Sequence, residues 1–321
     1  MATAEQIKAL IRNHFSDNSE QFVTIALQIA AHEARQGHTE MAHEIRKLID
    51  KAKSRPTVIT RLPVELSGLI FTEEPQIPLS ALVLNEDMKS RIERIIIEFR
   101  QQNKLKRYGL LHRRKILFTG APGTGKTMTA KVLATELSQP LHTIQIDRLV
   151  TKFMGETSAK LRQIFDLIRE IPGVYLFDEF DAIGSERSLE NDVGEMRRVL
   201  TAFLQFIEND NSDNLIIAAT NNLRLLDRAL FRRFDDVINY ELPGQEERSL
   251  LIANLLGAFI DKRFPLEKAA AAASGLSHAE IDRACRDAMK SAVLENKNRI
   301  SINNLTKVLN ERHTAYQGRE V

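Results

Sequence analysis

Residues 120–127 read Gly-Ala-Pro-Gly-Thr-Gly-Lys-Thr, a complete G-x-x-x-x-G-K-[ST] loop, and its flanks decide the architecture. The run KILFT (115–119) before it is a strand by composition, and TMTAKVLATEL after it is a helix. Glycines let the backbone N–H groups turn inward, where a Cβ would obstruct them, and the helix N-terminus adds partial positive charge. A strand, loop and helix in this order cradle a phosphate chain. Ala121, Pro122, Gly123, Thr124, Gly125, Lys126, Thr127 and Met128 make up the predicted cradle. Lys126 is expected on the β- and γ-phosphates and the Thr127 hydroxyl in the shell of a Mg²⁺ ion, so the cofactors implied are ATP and Mg²⁺.

A second motif belongs with the first. Val174-Tyr-Leu-Phe177 is a buried-strand run ending in Asp178-Glu179. At the carboxyl end of a strand an Asp reaches the metal shell, while the adjacent Glu polarises a water for in-line attack on the γ-phosphate. Further β-rich runs at 141–146, 214–220 and 236–242 alternate with helical stretches. This predicts an α/β fold of the P-loop type, a parallel sheet with helices on both faces, over residues 80–243. After Pro243 the chain turns purely helical, giving an all-helical lid over 244–321.

The first 52 residues read as a small three-helix bundle. Thr3 and Gln6 have capping-box spacing ahead of Ile7, Leu10 and Ile11. A second stripe runs through Phe22, Ile25, Ala26, Ile29 and Ala30, and Gly37 is a natural stop. The third carries Ala42, Ile45, Leu48 and Ile49 behind Thr39. Residues 53–79 hold Pro56, Pro63, Pro75 and Pro78 and read as a linker.

A net charge of +2 gives no global pull toward nucleic acid or membrane. No apolar run has the roughly 18–20 residues of a membrane span. The one cysteine, Cys285, cannot form an internal disulfide. The expectation is a cytoplasmic protein, without a membrane partner. Neither HExxH nor G-x-S-x-G occurs, so no protease chemistry is predicted within the chain.

From about residue 80 to 312 the sequence resembles the AAA family of ring-forming ATPases, in the branch of katanin and spastin. GAPGTGKT, KFMGETSAKLRQIFD, YLFDEFDAIGSER, LIIAATNN, LDRALFRRFDDVINYELP and GLSHAEID carry the resemblance in order. It implies ATP hydrolysis by a homo-oligomer, by family habit a hexamer. Asn221, ending the strand LIIAAT, corresponds to the position that orients the attacking water. Arg232 and Arg233 correspond to arginine fingers that act in trans on a neighbour's nucleotide, with the division of work between the two left open. Val83 and Leu84 match the segment that packs around adenine; Ala279 lies where many wider relatives carry an arginine that senses the nucleotide, and its absence fits the AAA branch, with His278 beside it expected near the ribose or adenine. Glu179, Asn221, Arg232 and Arg233 are the catalytic candidates, and Thr127 and Asp178 the metal ligands.

Phe153-Met154-Gly155 matches the aromatic, hydrophobic and glycine loop that lines the ring's central pore, and residues 185–195 are a candidate second pore loop. An apolar side chain in a pore grips an extended polypeptide without reading its sequence, so the expected substrate is protein. The competing class is a nucleic-acid-associated AAA ATPase of the loader or initiator type. The basic stretch Lys104, Lys106, Arg107, Arg113, Arg114 and Lys115 has little aromatic interleaving and reads as a solvated face, which disfavours nucleic acid. The N-terminal helices resemble adaptor bundles ahead of some AAA motors. The whole layout resembles stand-alone bacterial AAA ATPases encoded beside subtilisin-like proteases, some linked to phage defence. A separately encoded protease or adaptor is the partner this implies.

Overall fold

Strand residues in this chain alternate between two apolar environments, and that alternation builds the molecule's main sheet. A computed structural model describes residues 19–53, 66, 68–149, 154–180, 193–222 and 231–317. The chain divides into two compact units, Met1–Arg61 and Leu62–Val321.

In the first unit, helices α1 (Ser19–Arg35) and α2 (Thr39–Lys53) pack on each other. The expected stripe on α1 is buried at Ala26, Ile29 and Ala30. Gly37 adopts φ 87° in the turn, and the buried Glu33 carboxylate hydrogen-bonds His38 at 2.7 Å. The expected helix through Ile7 and Ile11 lies outside the described residues.

The second unit contains strands β1 (Ile70–Glu73), β2 (Lys115–Gly120), β3 (Leu141–Gln145), β4 (Val174–Asp178), β5 (Leu215–Thr220) and β6 (Asp236–Tyr240). Their order is β1-β3-β4-β5-β2-β6, parallel apart from β1, which runs antiparallel to β3 with Ile70 opposite Ile144. Part of the segment expected to be a linker is thus sheet and core: Leu66 and Leu69 are buried too. The four prolines dominated the sequence signal. Yet Ile70-Phe71-Thr72 are β-formers, and a strand only 4 residues long on a sheet edge needs no long periodic run.

Helices α3 (Glu86–Arg100), α4 (Gln102–Arg107), α5 (Lys126–Leu137), α6 (Ile146–Leu149), α7 (Met154–Glu170) and α8 (Val193–Asn209) intervene. Leu117, Tyr175, Phe177, Ile216 and Ala218 project into a core shared with α7 and α8. Their sequence neighbours Ile116, Phe118, Leu176, Leu215 and Ile217 project into a second core with α3 and α5. Period-two projection with both faces covered is why these strands are apolar throughout. Helices α9 (Gln245–Leu256), α10 (Leu266–Ala272), α11 (His278–Leu294) and α12 (Ile302–Gln317) build a third core around Ile252, Ile281, Leu305 and Leu309. Cys285 is in it, fully buried, and burial pushes its thiol up to about 12, so it serves as a neutral packing group.

His142 on β3 is expected to make this fold acid-sensitive. Its ring stacks on Tyr175 with centroids 4.7 Å apart, hydrogen-bonds Thr72 of β1 at 2.9 Å, and is 4% exposed. Burial lowers its pKa from 6.5 to about 4. Between those values the unfolded chain binds the extra proton. The stability from this group is therefore complete above about pH 6.5 and is lost as pH falls toward 4, by up to about 3 kcal/mol. Denaturant titrations at pH 7, 6 and 5 should show His142→Phe losing less stability than the parent chain. Equal losses would exclude this residue as the cause.

Candidate active site

The loop after β2 turns because Gly120 takes φ 137°, a conformation closed to side-chain-bearing residues. A Cβ there would also overlap the carbonyl oxygen of Tyr240, its register partner on β6. Gly123 has φ 75°, and its Cβ would come 2.7 Å from Ser277 Oγ at the start of the lid helix α11. The loop thus lies against both the sheet and the lid. Lys126 opens α5, and its Nζ donates to the carbonyl oxygens of Gly120 at 2.7 Å and Ala121 at 2.8 Å. Thr124 Oγ1 also donates to the Ala121 carbonyl, at 2.7 Å.

Parallel pairing of β4 with β5 and of β5 with β2 brings three strand ends to this loop. Thr127 Oγ1 donates to Asp178 Oδ2 at 2.9 Å, which puts the two expected metal ligands side by side. Glu179 is exposed and has φ 53°, a left-handed backbone rare outside glycine, and its N–H donates to Asp178 Oδ1 at 3.0 Å. Asn221 follows β5 directly.

These groups border a cleft of about 920 Å³ between the sheet and the helical lid. Pro122 through Met128, Asp178, Glu179 and Asn221 line it, with Val83 and Leu84 on one side and His278 and Ala279 on the other. Ala121 does not line it. At the cleft, lid and core are tied by His278 Nε2, which donates to the Val83 carbonyl at 3.1 Å, and by the Ala279 N–H, which donates to the Gly123 carbonyl at 3.0 Å. Burial holds the His278 imidazole below its usual pKa, so it donates from Nε2 as a neutral ring.

Leu251, Asn254 and Leu255 of α9 and Asp282 and Arg286 of α11 also line the cleft, and sequence reasoning did not single them out. Their spacing was the available signal, since three- and four-residue steps place each set on one helix face. Which face meets the cleft depends on packing between helices. Arg286 Nε bonds Asp282 Oδ2 at 2.7 Å. Among the described residues the charged lining is therefore two cations, Lys126 and Arg286, against the carboxylates of Asp178, Glu179 and Asp282.

Arg232 and Arg233 are not brought to this cleft. They sit before β6, where Arg232 is exposed and Arg233 Nε donates to Glu208 Oε2 at 3.0 Å. Phe153 lies outside the described residues, as do 185–192 of the second candidate pore loop. Met154 and Gly155 open α7. No helix among the described residues is long and apolar enough to cross a membrane.

Residues 116–242 match the family described as "ATPase family associated with various cellular activities (AAA)". The chain is 32% identical to the uncharacterized AAA family ATPase y4kL of Sinorhizobium fredii, over 97% of this chain and 96% of that protein. It is 34% identical to a putative 26S proteasome regulatory subunit homolog of Methanothermobacter thermautotrophicus, over 62% of this chain but only 55% of the relative. Against a proteasome-activating nucleotidase of Saccharolobus solfataricus the identity is 30%, over 79% of this chain and 68% of that protein.

Proposed function

The chain belongs to the AAA family of ATPases, and from that premise we propose that it is one subunit of an oligomeric, Mg²⁺-dependent motor that unfolds or threads protein. The charge count of the cleft carries the reading. Two cations facing three carboxylates cannot by themselves balance a nucleoside triphosphate of about four negative charges. Counted over the described residues, the shortfall in positive charge fits a nucleotide that arrives with a metal ion and a site completed by a neighbouring copy.

Thr127 and Asp178 offer adjoining oxygens, the small protein share of a coordination shell that Mg²⁺ completes with phosphate and water. When bound, Mg²⁺ neutralises charge on the phosphates. Lys126 exchanges its two loop carbonyls for phosphate oxygens, with the amides of 123–127 around it. Glu179 accepts the proton of the attacking water and Asn221 orients that water. Val83, Leu84 and His278 enclose the base, with Ala279 at the ribose. Arg232 and Arg233 serve the site of the adjacent copy. Phe153, Met154 and Gly155 grip an extended polypeptide and are moved by changes in the angle between core and lid. A separately encoded protease fits as partner, because two of the relatives are described by their relation to the proteasome. The cytoplasm fits as the setting.

Steady-state ATPase rate against protein concentration tests this. Specific activity should rise with concentration, vanish when a chelator removes Mg²⁺, and increase several-fold with an unfolded protein. Stimulation by DNA alone would move the chain to the nucleic-acid class.

A further inference from the structure

We propose that Asp282 holds the sugar of the bound nucleotide, its carboxylate accepting hydrogen bonds from the ribose 2′- and 3′-hydroxyls, and that Arg286 is a positioning residue for that carboxylate. The assignment rests on the nucleotide reading above and adds to it a selection for ribonucleotides over deoxyribonucleotides.

The two ends of the cleft have their own lining. Lys126, Thr127 and Asp178 mark the phosphate end. The apolar side chains of Val83, Leu84, Leu251 and Leu255 suit the faces of a planar base and offer nothing to a diol. Helix α11 borders both sets, since His278 is bonded to Val83 and Ala279 to Gly123. Asp282 is the next residue of α11 to line the cleft, about 4.5 Å farther along the axis, and Arg286 follows one turn later. The sugar is the part of a nucleotide that joins base to phosphates, and Asp282 is the polar side chain that α11 offers beside that junction. A carboxylate facing a ligand of about four negative charges needs a use there. Arg286 Nε donates to Asp282 Oδ2 at 2.7 Å, which brings the pair to zero net charge and fixes the carboxylate. Among the described residues Oδ1 accepts no hydrogen bond. A carboxylate can only accept. Phosphates offer it no donor, whereas the neighbouring hydroxyls of ribose offer two. With its side chain 32% exposed, Asp282 is partly screened, which sets the contact at the lower end for hydrogen bonds to charged groups, about tenfold in affinity.

Isothermal titration calorimetry of the full chain with ADP, 2′-deoxy-ADP and 3′-deoxy-ADP reads this without turnover. The parent should bind ADP about tenfold more tightly than either deoxy form. Asp282→Asn should bring the three affinities within about threefold of one another, by weakening ADP alone. Arg286→Ala should reduce the preference to about threefold, and Arg286→Lys should restore most of it. A parent preference below about twofold, or one that survives in Asp282→Asn, overturns the assignment. Equal loss of all three ligands in Asp282→Asn also overturns it, because the carboxylate would then be a structural group of the lid. So does a variant that loses a preference for ADP over inosine diphosphate while keeping the ribose preference, which would put the carboxylate on the amine of the base. Lys126→Ala separates this inference from the reading beneath it. If the parent binds no ADP, or Lys126→Ala binds it as the parent does, the nucleotide reading fails and the assignment with it. If Lys126→Ala loses ADP while Asp282→Asn keeps the parent's preference, only the assignment fails.

Discussion

Glu179→Gln is expected to bind ATP with unchanged affinity and to hydrolyse it about 10²–10⁴-fold more slowly, the usual contribution of a positioned general base. The substitution keeps the shape of the side chain and removes its capacity to accept a proton. Glu179 stands next to Asp178, which is bonded to Thr127, so the phosphate cradle and the metal ligands are left in place. Glutamine can also follow the same left-handed backbone at φ 53°, at a similar steric cost. Phosphate release measured beside fluorescent-nucleotide titration separates the two effects. A variant that keeps turnover within threefold of the parent would sink the assignment of Glu179 as base. Lost affinity would show that the carboxylate holds the ligand instead.

Gly120→Ala is expected to be the most damaging single methyl in the second unit. Two independent costs fall on it: φ 137° is closed to a residue with a Cβ, and the added carbon overlaps the backbone of Tyr240. Backbone cannot swing aside like a flexible side chain, so β2 and β6 would have to separate at their paired ends. Strain of this kind costs about 1–3 kcal/mol and overpacking about as much again, for a total of roughly 3 kcal/mol or more. In a unit of this size that lowers Tm by about 6–12 °C. Thermal unfolding followed by circular dichroism measures it. Gly125→Ala is the control, since its φ is also left-handed, at 108°, but its Cβ meets nothing. A drop at position 120 no larger than that at 125 would show that the collision relaxes freely.

Strands and phosphate loop were legible in the sequence because their signals are local. The run 174–178 is apolar up to Asp178, and only a strand buried on both faces needs that composition. The loop's glycines fall where φ must be positive, so the residues name the conformation. Strand β1 was hidden because its pairing partners lie about 70 residues away in β3. Nothing within a window around Ile70 reports a partner that distant. The lid's share of the cleft was hidden for a related reason. Leu251, Asn254, Leu255, Asp282 and Arg286 were assigned to helices, yet the face turned to the phosphates is set by how α9 and α11 pack. The anchor for Arg233 was out of reach of spacing too, since Glu208 is separated from it by 25 positions.

The hydrogen bond from Ala279 to Gly123 has a mechanical consequence. The peptide between Gly123 and Thr124 sits in a loop that lines the cleft, while its carbonyl side is fastened to the first turn of α11. That helix is 17 residues long, about 25 Å at 1.5 Å per residue. It is therefore a lever gripped at one end by the phosphate loop, and a tilt of about 10° at the grip carries the far end through about 4 Å. Because α11 shares a core with α9 and α12, the displacement is passed to the lid as a block. A rearrangement of one peptide unit at the phosphates is thus geared up, with no intervening part, to the size of a side chain at the periphery.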